Sequence, residues 1–487
     1  MTAGYAIRQP CQNNFLKILC DISERDNFME KVDFLFIYEV RNRELENICL
    51  LCAELERRGY TTAIINSWKA LEYEYPDYDA EVLVVSACYN TTTYKFFTKF
   101  NTHFKKVINL QWEQILHNGY VESEGTTSWD FWGESLKTRH ICWGENTKQR
   151  LMKKFGVPEE MLRVTGCISL DFYRPEFSGY IIPKDVLFDR YGLDKSKTTM
   201  LFISSFSYTS LPRGNKPKSS IDFSDLHAQT VIDGQKAVYD WMKKAAAQYP
   251  DIQFIYRAHP AEAEAEFLLN LQKDYPNFFC LSKEPIKHWI MACDKIYNWT
   301  STAAAEVYVS GKQSFLLEPL PLDHKVTYRL FENGNSIKDY DGFAESLEMP
   351  LDAKAQPLDD ELFYECYQQT EYPTYKRICD WFEETYKDTE YSSHHYWHFD
   401  SNRERIAEHK KYQKFWNSPV NIALCNLSKI KALKHPFFEY RRNKGVFSKK
   451  EVEEVAAYTK SRTELNFVEK DELRRIIDSF KEIISKQ

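Results

Sequence analysis

Two stretches of the chain place charged and hydroxyl side chains directly after apolar runs. In FIYRAHP, the run from Phe254 to Tyr256 ends in Arg257, His259 and Pro260. In IYNWTST, the run from Ile296 to Trp299 ends in Thr300, Ser301 and Thr302. Each is followed by an Ala- and Glu-rich, helix-forming segment, so each reads as strand, turn and helix. In open parallel sheets ligands bind beyond the carboxyl ends of the strands, and helix N-termini there hold phosphate. A cationic pair on one turn and three hydroxyls on the next suit a nucleotide diphosphate or a phosphodiester. The three hydroxyl residues are equally competent helix N-caps. Ser204 and Ser205 end another apolar run, TTMLFISS, and would line the same site.

The elements that would position these groups come in two alternating sets. VDFLFIYEV (Val32 to Val40) reads as a buried strand. RNRELENICLLCAELERRGY follows, with Leu45, Ile48, Leu51 and Leu55 at helical spacing and a stop at Gly59. TTAIINSW, EVLVVSACY and VINLQWEQ supply three more strands. HICWGENTKQRLMKKFGV repeats the alternation, and LRVTGCISLDFY closes the set. The second set runs from TTMLFISSF through a helix around Gln235 to Gln248 to IQFIYRAHP, FFCLS, KIYNW and QSFLLEP. Its Gly-, Pro- and Lys-rich loop, PRGNKPKSSIDFSD, reads equally as an active-site loop or an ordinary excursion. Such alternation implies right-handed βαβ units around parallel sheets. The expected organisation is α/β, with one Rossmann-like domain over 1–180 and a second over 181–340. A helical C-terminal extension would follow over 341–487, with a helix over Leu358 to Tyr386.

Composition narrows the function. A chain of 487 residues exceeds one core, and a net charge of −7 argues against nucleic acid as the main partner. Aromatic residues at 15% favour an ordered, enzyme-like protein. With no eighteen-residue apolar run and no signal-type cleavage site, a cytoplasmic location is expected. Between Arg403 and Lys450 stand thirteen Lys or Arg against three Glu. That segment reads as a solvated helical face or as a patch for anionic lipid at the inner membrane surface. The twelve cysteines sit mostly in apolar segments, as reduced core residues do, and the Cys49/Cys52 pair lies inside a helical pattern. His394, His395 and His398 invite a zinc reading, but no Cys or paired His stands near them. No Walker A motif and no GxGxxG is present, which argues against kinases, ATPases and dinucleotide dehydrogenases of the usual type. With no DxD at a strand end, a reaction without metal or other cofactor is expected.

The order RAHP, CDKIYNWTSTAAAEVYVSGK and LLEP resembles the C-terminal half of GT-B glycosyltransferases. YEVRNRELENICLLCAELERRGY, INLQWEQ and CWGENTKQRLMKKFGVPEEMLRVTGCISLDFYRP resemble the N-terminal half of bacterial surface-carbohydrate biosynthesis proteins. These are similar to the Kdo transferases of capsule and lipopolysaccharide, and more distantly to CDP-glycerol glycerophosphotransferases. The resemblance covers residues 30–320 and implies two Rossmann-like domains facing across a cleft. A nucleotide-sugar donor, CMP-linked, would lie in the second, and a glycan or lipid-linked glycan acceptor in the first. It implies that Arg257 and His259 hold the donor phosphate and that Ser301 and Thr302 meet it at a helix start. Glu306 would bind ribose hydroxyls. A transferase also needs a carboxylate to deprotonate the acceptor hydroxyl, or to act as nucleophile. Glu113 in LQWEQ is the first candidate, because it follows an apolar strand and faces the expected cleft. Glu39, ending the first strand, and Asp130 in SWDFWG come next, while Arg41 and Arg43 would bind an anionic acceptor. The rivals are a CDP-glycerol or CDP-ribitol polyol-phosphate transferase, a hydrolysing UDP-GlcNAc 2-epimerase, and a non-catalytic glycan-binding protein on the same fold.

Overall fold

The computed structural model describes residues 29–70, 75–115, 118, 131–206, 225–259, 266–281, 283–399, 402–416, 418–428 and 460–486. The first apolar run forms β1 (Glu30–Tyr38), whose Phe34, Leu35 and Phe36 have no exposed surface. Continuous burial of this kind marks a strand covered on both faces, as parallel strands are. The chain continues with β2 (Thr62–Asn66), β3 (Tyr78–Val85), β4 (Phe104–Asn109), β5 (Arg139–Cys142) and β6 (Leu162–Val164). All pair in parallel in the order β2-β1-β3-β4-β5-β6. The second sheet holds β7 (Thr198–Ile203), β8 (Ile252–Arg257), β9 (Phe278–Cys280), β10 (Lys295–Asn298), β11 (Gln313–Leu317) and β12 (Ser336–Ile337). Its order is β12-β11-β10-β7-β8-β9, again all parallel. Strand order reverses between β1 and β3 in one sheet and between β7 and β10 in the other. Ligands bind outside the carboxyl ends at such reversals.

Two Rossmann-like domains with a C-terminal helical extension make this the GT-B architecture. An ion pair joins the halves: Lys287, on the helix Ile286–Ala292 of the second domain, contacts Glu46 at the start of the first domain's core helix, Glu46–Arg57. Tyr180, on the connection between domains, donates its hydroxyl to the same carboxylate. Cys49 and Cys52 are free thiols buried in that core helix.

The extension does more than trail from the second domain. Past residue 340 it first adds the helix Tyr340–Glu348 to the second sheet, where Lys295 Nζ donates to Ser346 O at 2.8 Å and Leu347 O at 2.7 Å. It then crosses back. The single helix expected over 358–386 is two, Asp360–Cys366 and Thr374–Lys387: the chain turns extended at Tyr367, and Pro373 stands in the cap position before the second. The second of these lies on β1, with Phe382 stacked on Phe34 at 5.7 Å. The terminal helix Lys470–Ile484 covers the core helix, its Phe480 packing on Tyr180 at 4.8 Å and Phe172 at 5.8 Å. Of the basic segment, only the helices Asn402–Trp416 and Pro419–Ser428 are described, and residues 429–459 lie outside the described residues. Among the described residues no helix is long and apolar enough to cross a membrane.

Phe480 is fully buried, so Phe480→Ala is expected to cost about 3–5 kcal/mol. Denaturant unfolding reads this directly; a loss under about 1 kcal/mol would place the terminal helix outside the core.

Candidate active site

At the β1/β3 reversal the first domain buries a carboxylate. After β1 the chain passes Glu39 and makes a π-helical turn, Arg41–Leu45, before the core helix begins. That turn carries Glu44 inward, where it has no exposed surface. Its Oε2 accepts from Ser86 Oγ at 2.6 Å, just past β3, and from Glu39 N at 2.8 Å. Its Oε1 accepts from Arg43 Nη2 at 2.6 Å and Nε at 3.2 Å. Arg43 Nη1 reaches on to Glu113, beyond β4. Glu113 comes within reach because Gln111 adopts a left-handed φ of 49°, its N–H donating to Asn109 Oδ1 at 3.1 Å. Burial, reinforced by Glu44, pushes the Glu39 carboxyl above its usual range, while Arg43 and Arg462 pull the other way. Burial works against the Arg43 charge, yet Glu44 and Glu113 outweigh it and keep the guanidinium more firmly protonated than usual.

Glu39, Glu113 and Arg43 are therefore brought together. Arg41 is not with them: it pairs with Glu472 of the terminal helix at 2.7 Å, and its N–H donates to Asn466. Asp130 lies outside the described residues. Sequence reading missed Glu44, because a regular helix from Arg41 would have left it on an ordinary helical face. The available signal was two acids, Glu39 and Glu44, flanking two arginines at a strand end.

At the β7/β10 reversal the second domain gathers hydroxyls. Ser204 N donates to Arg257 O at 3.0 Å, joining the ends of β7 and β8. Ser205 donates its hydroxyl to Trp299 O, joining β7 to β10. Thr300 then takes a φ of 50°, a conformation that strains a β-branched residue and is held only by its surroundings. The expected helix starts at Ala304 with Ala303 in the cap position, so the three hydroxyl residues form the turn before it rather than its cap. Ser301 Oγ accepts from Ala303 N at 3.3 Å, and Thr302 is exposed. A cleft of about 40 Å³ opens here between Thr300, Glu318, Thr327 and Ser336. Glu318, which accepts from Ser336 Oγ at 2.6 Å, is a second carboxylate that sequence reading passed over.

The cationic turn is partly committed elsewhere. Arg257 donates to Lys283 O at 2.6 Å and to Glu284 O, tying down the loop that leads into the helix Ile286–Ala292. Burial lowers its pKa to about 10, which leaves it charged at neutral pH. His259 follows β8 and is partly exposed, while Pro260 lies outside the described residues. Glu306 accepts from Tyr173 OH at 2.9 Å, so it faces the connection between domains; burial pushes its carboxyl up, against the pull of Lys287 and Tyr173. Of the three histidines read for zinc, His395 stacks on Phe104 at 4.2 Å and His394 packs against Tyr396. Among the described residues no cluster of three or more His, Cys, Asp or Glu side chains is placed to hold a metal ion.

No protein-family model matches the chain, and no curated protein matches it. Among solved structures it is similar to the wall teichoic acid polymerase TagF, at 12% identity over 77% of this chain and 95% of that one, with a TM-score of 0.48. It is also similar to the UDP-GlcNAc 2-epimerase of Neisseria meningitidis bound to UDP-GlcNAc, at 13% identity over 73% and 99%, with a TM-score of 0.42. The S. aureus MnaA–UDP structure matches at 12% identity over 72% and 95%, also with a TM-score of 0.42.

Two substitutions separate the roles of buried Glu44 and half-buried Glu39. Glu44→Ala removes the buried acceptor of Ser86 and Arg43 while Glu113 still pairs with Arg43, and is expected to cost about 1–3 kcal/mol in denaturant unfolding. Glu39→Gln acts in the opposite sense. A carboxyl whose folded pKa is raised is penalised only once it ionises, so the penalty is absent below the usual carboxylate pKa and complete above the folded one. Glu39→Gln should therefore raise the melting temperature at neutral pH but not at about pH 4; equal melting at both would contradict the raised pKa.

Proposed function

We propose that this chain is a GT-B glycosyltransferase that moves a sugar, Kdo or a related acidic sugar, from a cytidine-nucleotide donor to a bacterial surface glycan. One observation supports this above others. A carboxylate cluster at one strand-order reversal and a hydroxyl- and cation-bearing turn at the other sit in domains tied together by Lys287 and Glu46. Proton removal from an acceptor and charge stabilisation on a donor phosphate need those two kinds of group.

Glu39 serves best as the base. It ends β1, and its raised pKa brings it nearer the operating pH, where a carboxylate base is most effective. The acceptor hydroxyl gives its proton to Glu39, and the acceptor oxygen bonds to the anomeric carbon of the sugar. The bond from that carbon to the phosphate oxygen breaks, and its electron pair stays with the phosphate. His259, Ser301 and Thr302 receive that phosphate, and Arg257 adds fixed positive charge at the end of β8. Ser204 and Ser205 support the nucleotide. Glu318 is the carboxylate that faces the cleft beside Thr300, so it, before Glu306, suits the ribose hydroxyls. Glu113 holds Arg43 in place and takes the acceptor's outer side.

A thermal-shift comparison of CMP, CDP, UDP and GDP tests the donor half. Ligand at a hundred times its Kd adds about 2.7 kcal/mol, so stabilisation by cytidine nucleotides should be plain and should fall in His259→Ala. Preference for UDP or GDP would overturn the cytidine assignment. On the acceptor side, Glu39→Gln is expected to lower turnover about 10²- to 10⁴-fold. The wild-type rate should rise with pH as Glu39 loses its proton, with a midpoint above the usual carboxylate range. A larger loss in Glu113→Gln than in Glu39→Gln would reverse the two roles.

A further inference from the structure

The turn that carries Glu113 is held by a chain of buried hydrogen bonds that begins at a histidine. Asn109 and His140 face each other in register at β4 and β5, and neither has exposed surface. His140 Nε2 lies 2.6 Å from Ser135 O, in the short helix Gly133–Lys137. A carbonyl oxygen only accepts, so Nε2 carries the proton. Burial drives the His140 pKa down to about 4, against the pull of Ser135, so the ring is neutral at neutral pH. Nδ1 is then an acceptor and takes the Asn109 Nδ2 group at 3.0 Å, which Cys88 O shares at 3.3 Å. Asn109 Oδ1 is thereby turned to the Gln111 N–H, at 3.1 Å. With the amide reversed, Oδ1 would meet the Nδ1 lone pair and the Cys88 carbonyl, and N–H would meet N–H at Gln111. Each of these buried groups would lose its partner.

We infer that His140 is a positioning residue for the carboxylate cluster: through Asn109 it fixes the left-handed turn that brings Glu113 to Arg43. A non-glycine φ of 49° persists only where its surroundings hold it, and the Asn109 bond acts on that very residue. The far end of the turn is held from β5 as well. There Gln114 donates to Ile141 O at 2.8 Å and accepts from Trp143 N at 2.7 Å. Glu113 itself is half exposed and pairs with Arg43, so its place depends on the turn more than on packing of its own side chain. The part this plays in catalysis rests on the glycosyl-transfer reading; the placing of Glu113 does not.

Trp112 stands in the turn between Gln111 and Glu113 and is 6% exposed, so it reports the turn without any ligand. The test labels the full chain with fluorotryptophan and follows the Trp112 fluorine NMR signal, assigned by Trp112→Phe, in wild type, His140→Asn and His140→Gln. Asn puts its oxygen where Nδ1 stood and keeps the acceptor for Asn109. Gln puts its amide nitrogen where Nε2 stood and keeps only the bond to Ser135. Asn also leaves the larger cavity, so a purely structural role predicts the greater disturbance there. Positioning predicts the reverse: the Trp112 signal holds in His140→Asn and shifts in His140→Gln, with Trp289 of the second domain constant in both. Equal shifts, a larger one in His140→Asn, or none in either overturns the inference. Asn109→Asp is the second arm, independent of whether His140→Gln folds. One carboxylate oxygen still accepts from Gln111 and the other faces Nδ1, so the ring should bind a second proton. Its titration by nitrogen NMR is expected to move up from about 4, and a titration that stays there overturns the contact. CMP release from CMP-Kdo, over immobilised neutral and phosphorylated glycans, should fall about 10²-fold in His140→Gln but not in His140→Asn. Full release by His140→Gln with a displaced Trp112 overturns the role in the reaction. The expected Trp112 pattern with no release by the wild type overturns the Kdo-transfer reading alone.

Discussion

The ion pair between Lys287 and Glu46 is the constraint on which the rest of this structure depends. The Lys287 side chain is 8% exposed, and desolvating such a charge costs several kcal/mol. Burial alone would raise the Glu46 carboxyl, yet Lys287 and Tyr180 more than offset it and hold it below the usual range. Lys287 also lies over the Phe172 ring at 4.2 Å. Beside it, His288 is driven to a pKa of about 4 by burial and by the Lys287 charge, so a neutral imidazole accepts the Ile182 N–H at 3.2 Å. Each of these groups needs a partner from the other domain or the connection. Separating the halves would strand them, and so the two domains are held together.

Within each half, unfavourable local terms sit at the strand ends where the chemistry is proposed. Gln111 and Thr300 occupy left-handed backbone without being glycine, and Glu44 is a fully buried acid. Such features persist only when the surrounding structure over-determines them. Here the surroundings are visible: Asn109 holds the Gln111 amide, Ser205 holds the carbonyl before Thr300, and Ser86, Arg43 and the Glu39 amide share Glu44. The crossing helices lie directly over this framework. Phe382 on β1 and Phe480 against Tyr180 tie the C-terminal extension to the domain that carries the carboxylates.

Much of the fold was legible because its signals are local. A buried parallel strand is a continuous apolar run, and β1, β3, β7 and β8 read that way directly. Helical spacing in Ile48, Leu51 and Leu55 marked the core helix. The pairing of Glu39, Glu113 and Arg43 was legible in part, since strand ends in a parallel sheet converge. What escaped was set by departures from regular geometry. The π turn moved Glu44 from a helix surface to the interior, extended backbone from Tyr367 divided one expected helix into two, and Ala303 displaced Ser301 and Thr302 from the cap.

The sequence by itself determined the α/β alternation, the two domains and the residue types available at each strand end, because periodicity and turn chemistry are properties of neighbouring residues. Only the tertiary structure decided which of those residues meet. Arg41 and Arg43 are two positions apart, yet one reaches the terminal helix and the other the carboxylate cluster. Glu306 turns to Tyr173 across the domain boundary, and Glu318 faces the cleft instead. Such choices depend on desolvation and on partners hundreds of residues away, and no local pattern encodes them.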